Sequence, residues 1–260
     1  MVSAETVTQC FAEPTIGGFA DGARPPEAHD SPEMVRHERH AQTVVLSVPI
    51  SRREVTIPAE GTMLPGSLTV PAEAVGIVVF AHGSGSSRFS PRNMHVAAVL
   101  NEARLATLLF DLLTPEEDLD RRNVFDVPLL ATRLAAATSW LEVEPELCHL
   151  PIGYFGASTG AAAALWAAAE NTGVGAIVSR GGRPDLAAPR LPDVRSPTLL
   201  IVGGLDDVVL ELNRAALELL DCEAELQVVE GATHLFEEPG TLDEVASLAR
   251  GWFVRHLARV

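Results

Sequence analysis

The chain has 260 residues and a mass of 27.6 kDa, enough for one large domain with a real hydrophobic core. Hydrophobic residues make up 47% and charged residues 21%, which excludes a wholly disordered chain, and a net charge of −16 makes nucleic acid and anionic membranes poor partners. All 19 basic residues are Arg, so chemistry that depends on Lys, whether a Schiff base, pyridoxal phosphate or a P-loop, is excluded.

Residues 1–41 hold Pro, Gly, Ala, Glu and His without apolar periodicity. They read as a flexible N-terminal extension to a domain spanning 42–260. His29, Asp30 and the run His37-Glu38-Arg39-His40 have metal-like spacing but no framework to fix their geometry, so no metal site is expected. The N-terminus has neither a cationic start nor an apolar stretch of signal-peptide type, and no apolar run approaches the roughly 20 residues of a membrane helix. Cys10, Cys148 and Cys222 are scattered, odd in number and without CxxC spacing. The chain therefore reads as soluble, cytoplasmic and reduced.

From Thr43 the pattern changes. TVVLSVPI, REVTI and SLTVP read as early strands, rich in β-branched residues. GIVVFA is a fully apolar run ending in a Gly/Ser loop, the mark of a strand buried on both faces. MHVAAVLNEARL is a helix and ATLLFD the next buried strand. The acidic run PEEDLD reads as a solvated loop. A helix over about 127–142 follows, with Leu130, Leu134, Ala137 and Leu141 on one face. Cys148-His149 precedes a core strand and reads as packing. LPIGYF is that strand, TGAAAALWAAAE a helix and GAIVS a strand, followed by a short irregular stretch. PTLLIVGG is a strand, VLELNRAALELL a helix and ELQVVEG the last strand. The final helix opens on Thr241 and Glu244 in capping-box spacing. This alternation predicts a mostly parallel sheet flanked by helices, with antiparallel strands at one edge.

Gly156-Ala157-Ser158-Thr159-Gly160 follows a buried strand and opens an Ala-rich helix, the context a nucleophile elbow requires. The plain alternative is a strand–helix turn with Ser158 as its N-cap. A nucleophilic serine needs a base and an orienting acid. His234 falls just after the last strand and Asp206 just after PTLLIVGG, so each of the three ends a separate strand. The chain order Ser158, Asp206, His234 is that of α/β-hydrolases. Asp207 is the competing acid and is expected to cap the following helix. The backbone N–H groups of Thr159 and of Ser84, in the loop His82-Gly83-Ser84, are the expected oxyanion-hole donors. His82 is expected to brace that loop.

VVFAHGSGSSR, LLFDLLTPEE, GYFGASTGAAAAL, VSRGGRPDLA, LLIVGG and GATHLFEEPG together resemble the α/β-hydrolase superfamily, and within it the dienelactone hydrolase-like branch. The match covers roughly residues 50–260 and is similar to a bacterial subgroup, some members of which are fused to phosphoribosyltransferase domains. Residues 1–41 are too few to encode such a domain. The resemblance implies hydrolysis by Ser158, His234 and Asp206 without a cofactor or metal. True dienelactone hydrolases use Cys where this chain has Ser158, so the dienelactone substrate does not transfer.

Only SRGGRPDLAAPRLPDVRS separates the strand after the nucleophile helix from the strand that carries the acid. A cap domain does not fit, which points to an open site for small soluble esters or lactones. Arg180 directly follows GAIVS, and Arg88 lies on a neighbouring loop. Either guanidinium could hold a substrate carboxylate, or could pair with a structural acid such as Asp111 or Asp185. The expected activity is that of a serine esterase or lactonase. An amide hydrolase, an acyltransferase and a binding protein that keeps the fold remain alternatives, and the oligomeric state is open.

Overall fold

The computed structural model, which describes residues 50–258, begins with a hairpin of β1 (Ile50–Ala59) and β2 (Thr62–Pro71). Residues 1–41 with their His cluster and Cys10, and the first seven residues of TVVLSVPI, lie outside the described residues. The hairpin turns on Glu60-Gly61, both at positive φ (27° and 81°), which matches the right-handed twist of the flanking strands. Six further strands follow: β3 (Gly76–Ala81), β4 (Leu105–Phe110), β5 (Ile152–Ala157), β6 (Val174–Arg180), β7 (Thr198–Gly203) and β8 (Ala224–Val229). The sheet runs β1-β2-β4-β3-β5-β6-β7-β8, parallel from β4 onward and antiparallel at the β1–β2 edge.

Two layers of helix cover the sheet. Helices α1 (Pro91–Glu102) and α7 (Thr241–Leu257) pack on one face, where Val78, Phe80, Phe155 and Val178 meet Val96, Leu100, Val245 and Phe253. The Phe80 and Phe155 rings sit 4.8 Å apart at 34°, an arrangement worth about 1 kcal/mol beyond the area buried. Helices α4 (Val127–Val143), α5 (Thr159–Glu170) and α6 (Asp207–Leu217) cover the other face. The expected stripe on α4 is buried through Leu130, Leu134, Ala137 and Leu141. Buried Tyr154 of β5 shares a 2.6 Å hydrogen bond with Thr138 of α4, and burial pushes its phenol up to about 12, so it stays neutral.

Several local expectations are corrected. The acidic run is not a loop: Pro115–Asp118 forms a single helical turn, α2, and a second turn, α3 (Arg121–Val124), follows it. A full capping box starts α2: Thr114 Oγ1 accepts the Glu117 N–H, and the Glu117 carboxylate accepts the Thr114 N–H. The last helix has none, because Gly240 occupies its N-cap in the left-handed region and Thr241 is already inside the first turn. Asp206 rather than Asp207 is the N-cap of α6. The segment Pro184–Asp193 is 3₁₀ helix, and Cys148 is exposed rather than packed. Among the described residues, no helix is long and apolar enough to cross a membrane.

Small residues decide where the sheet and α5 meet. A Cβ on Gly156 would lie 2.4 Å from the Ala161 Cα, and one on Gly160 would lie 2.2 Å from the Ala81 carbonyl oxygen. Fully buried Ala161, Ala162, Ala163 and Ala164 keep the rest of the contact thin. Backbone atoms cannot rotate away from a new methyl group as a side chain can. Gly160→Ala should therefore lower unfolding stability in urea by at least about 3 kcal/mol, and a loss under about 1 kcal/mol would contradict this packing.

Candidate active site

Ser158 stands between the end of β5 and the first residue of α5. Its backbone is at φ 52° and ψ −119°, a region a non-glycine residue enters at a cost of about 1–3 kcal/mol. Ser158 occupies the N-cap position of α5, but its side chain makes no cap bond. Hydrogen bonds hold the strained residue on both sides. Its N–H donates to the Arg180 carbonyl (3.2 Å), and its carbonyl accepts from the N–H groups of Ala161 and Arg183 (both 3.1 Å). The elbow is thus anchored to the loop that leaves β6.

That loop reaches the histidine. Gly181, at φ 51°, faces His234 so closely that an added Cβ would lie 3.5 Å from Nδ1 and Cε1 of the ring. His234 leaves the end of β8, and its Nδ1 lies 2.6 Å from Asp206 Oδ2 at the end of β7. A proton on Nδ1 leaves Nε2 as the basic nitrogen. Asp206 is mostly buried while His234 is partly exposed, so the acid is shielded and the base is accessible. The structure brings Asp206 and His234 into contact. Ser158 sits one peptide from Gly181, and no hydrogen bond joins its hydroxyl to His234 among the described residues.

Several supports were not apparent from the sequence. Thr233 donates from N–H and Oγ1 to the Glu238 carboxylate (3.1 and 2.7 Å), which closes the loop that carries His234. Buried Asn213 of α6 donates to the carbonyls of Gly182 and Val209, fixing the Gly181-Gly182 turn to α6. The doubled glycine is the sequence signal for the tight Gly181-Gly182 turn, since a Cβ on Gly182 would lie 2.0 Å from Ser179 Oγ. Asn213 gave no signal within its own helix.

Ser84 and Thr159 meet, although not as two free N–H groups. The Ser84 N–H donates to Thr159 Oγ1 at 3.0 Å. The Ser84 loop is pressed on the elbow, where a Cβ at Gly83 would lie 3.0 Å from the Ala157 carbonyl oxygen and 3.1 Å from Ser158 Cβ. His82 holds it from the other side. Its Nε2 accepts the Leu112 N–H (3.1 Å), so the proton sits on Nδ1 and points to the Gly83 carbonyl (3.0 Å).

The two arginines differ. Arg88 donates from its backbone N–H (2.7 Å) and its guanidinium to Asp111, and also lies 3.6 Å from Glu54. Arg183 grips Asp185 with two parallel bonds of 2.8 and 2.7 Å. Both acids considered as partners for Arg180 are therefore taken by other residues. Arg180 is 8% exposed, and its Nε and Nη1 have no partner among the described residues. Burial, with the nearby Arg92 charge, pushes its guanidinium down to about 10, which leaves it charged at neutral pH. A cleft of about 210 Å³ borders the Ser84 loop between Pro65, Ser87 and Asp118. A larger one, about 400 Å³, lies against β1, β2, β4 and α1 and is lined by none of Ser158, Asp206 and His234. Among the described residues, no cluster of His, Cys, Asp or Glu could hold a metal ion.

Burial, partly offset by the bond to Gly83, lowers the pKa of His82. In the unfolded chain an imidazole titrates near its ordinary value of about 6.5. As pH falls through that value the unfolded state takes up a proton the native imidazole refuses, so stability present above it is lost. Between about pH 7.5 and 5.5 the parent protein should lose more unfolding stability than His82→Gln. Equal losses in the two proteins would contradict a neutral brace.

No family model matches the chain. The crystal structure of a dienelactone hydrolase from Anabaena variabilis is 54% identical, covers 80% of this chain and 99% of its own, and superposes with a TM-score of 0.78. Est1E from Butyrivibrio proteoclasticus, at 16% identity, covers 78% of this chain and 98% of its own with a TM-score of 0.67, a likeness of fold. Two Mycobacterium tuberculosis proteins that carry a phosphoribosyl transferase name are 60% identical over 210 residues, 80% of this chain. That alignment takes in 47% of their length, so the chain spans about half the length of the curated relatives it matches. On its 54% identity to a dienelactone hydrolase along nearly the whole of that protein, this chain belongs to the dienelactone hydrolase family of the α/β-hydrolase fold.

Proposed function

We propose that this protein is a serine hydrolase that cleaves small carboxylic esters or lactones through an acyl-enzyme. The observation that carries the reading is the 2.6 Å contact of His234 Nδ1 with Asp206 Oδ2, at the same end of the sheet as the positive-φ Ser158. In this reading His234 Nε2 takes the hydroxyl proton as Ser158 Oγ bonds to the acyl carbon. The carbonyl π electrons move to oxygen and form the oxyanion. As the carbonyl re-forms, the bond to the alkoxide breaks and His234 returns the proton to the leaving oxygen. Water, deprotonated by His234, then attacks the acyl-enzyme, and Ser158 leaves with the proton. Asp206 orients the imidazole and stabilises its cationic form. No metal or cofactor has a step in this scheme.

The reading is tested with short-chain esters. Asp206→Asn should lower kcat by about 10⁴-fold, since the wrong imidazole tautomer would face the serine. Asp207→Asn should stay within about tenfold of the parent, because that residue sits in the first turn of α6 and is exposed. The reverse ranking would move the acid to Asp207.

We further propose that the substrate carries an anionic group held by Arg180. Supporting this are the burial of Arg180, its unpartnered Nε and Nη1, and its place next to Gly181, which faces His234. A buried cation without an acid is costly, and an anion in the site would satisfy it. Arg88 is already engaged by Asp111 and is the weaker candidate. Arg180→Met should cost about 1.5–3 kcal/mol in kcat/KM, or roughly ten- to a hundredfold, on a carboxylate-bearing ester. A neutral ester of the same alcohol should be largely spared. Equal losses on both esters would rule out recognition by Arg180.

A further inference from the structure

Thr159 is the residue after the nucleophile, and its hydroxyl lies where the structure has a donor without an assigned task. The residue is 3% exposed, and Oγ1 accepts the Ser84 N–H at 3.0 Å across 75 residues of sequence. A hydroxyl offers one hydrogen and two lone pairs. Ser84 takes up one lone pair, and among the described residues no acceptor takes the hydrogen. The Thr159 N–H is also outside the helical ladder, because the first residue of a helix has no carbonyl four residues back to bond. Backbone nitrogen and Oγ1 of one threonine are three bonds apart, so both hydrogens can converge on a single oxygen.

We propose that Thr159 holds the oxyanion through two donors, its N–H and its Oγ1–H, and that the Ser84 N–H acts one step back by polarising that hydroxyl. This rests on the serine-hydrolase reading above and gives the oxyanion hole a side-chain member. The hydrogen stays on Thr159 throughout, and the bond strengthens as charge builds on the substrate oxygen and relaxes when the carbonyl re-forms.

Three observations favour this over direct donation by Ser84. Direct donation would require the 3.0 Å bond to Thr159 to break, freeing one donor at the cost of another bond in a buried place. The loop also has little room to shift, being held between the elbow at Gly83 and the Leu112 N–H on His82. Finally, a hydroxyl that accepts from an N–H is a stronger donor itself, so the present bond improves the group that would face the substrate.

The test uses the full chain with Thr159→Ala, Thr159→Val and Thr159→Ser, assayed on one short-chain nitrophenyl ester. Loss of an oxyanion donor lowers kcat by about 100- to 1000-fold. Thr159→Ala and Thr159→Val should show that loss with KM nearly unchanged, since the oxyanion exists only after attack. Thr159→Ser keeps the hydroxyl and should stay within about tenfold of the parent. Affinity for a trifluoromethyl ketone, which forms an oxyanion on the serine, should fall in Thr159→Ala in step with kcat, while affinity for the neutral alcohol product stays constant. If Ser84 is the true donor, Thr159→Ala frees its N–H and kcat is unchanged or higher, which overturns the proposal. Equal loss in Thr159→Ser and Thr159→Ala also overturns it, since the side chain would then be acting through packing. A parent that neither cleaves the ester nor takes a fluorophosphonate overturns the serine-hydrolase reading, and this proposal with it. A labelled, active parent with an unimpaired Thr159→Ala overturns this proposal alone.

Discussion

A non-glycine backbone at φ 52° and ψ −119° can persist only where neighbouring structure compels it, and Ser158 is compelled from three sides. Gly156 and Gly160 lack the Cβ atoms that would strike Ala161 and the Ala81 carbonyl, so the chain can reverse from strand to helix within one residue. The Arg180 carbonyl and the Arg183 N–H then hold the two peptide groups of Ser158. The strain is a local cost borne by a large, well-packed sheet. Its consequence is that the hydroxyl stands clear of the helix instead of capping it.

The other parts of the site depend on the same turn. The loop that anchors Ser158 runs on through Gly181, against the His234 ring, and through Gly182, which Asn213 fixes to α6. Asp206 begins that same helix and meets His234. At β7 the chain again comes close, with a Cβ on Gly203 only 2.4 Å from the Ala232 carbonyl oxygen, and the Leu205 N–H bonds to that carbonyl. Ser158, His234 and Asp206 therefore rest on adjoining loops locked by backbone contacts. On the far side of the elbow, His82 and Gly83 press the Ser84 loop into reach of Thr159. The close approaches that need glycine are the ones that place Ser158, Asp206 and His234.

Much of this was legible in the sequence, for physical reasons. Buried parallel strands read as short apolar runs, and β3, β4, β5 and β7 are buried at every residue. In a parallel sheet the strand ends are where candidate residues are sought, and the structure places Ser158, Asp206 and His234 after the ends of β5, β7 and β8. What could not be read were pairings across loops. Whether Arg88, Arg183 or Arg180 would take Asp111 and Asp185 depends on loop paths, and those paths leave Arg180 without an acid. The same applies to the Ser84 bond with Thr159, which spans 75 residues. Capping was misread where two signals overlapped. Thr114 and Glu117 form a capping box inside an acidic run that looked solvated, while Thr241 and Glu244 have the spacing but follow a left-handed Gly240 that takes the cap position.

The claim that a strained serine on the β5–α5 turn performs the chemistry is tested most directly by labelling with a fluorophosphonate and mapping the modified peptide. The account predicts one adduct, on Ser158, formed by the parent and absent from Ser158→Ala at unchanged thermal stability. An adduct on another serine, or labelling that persists in Ser158→Ala, would contradict it.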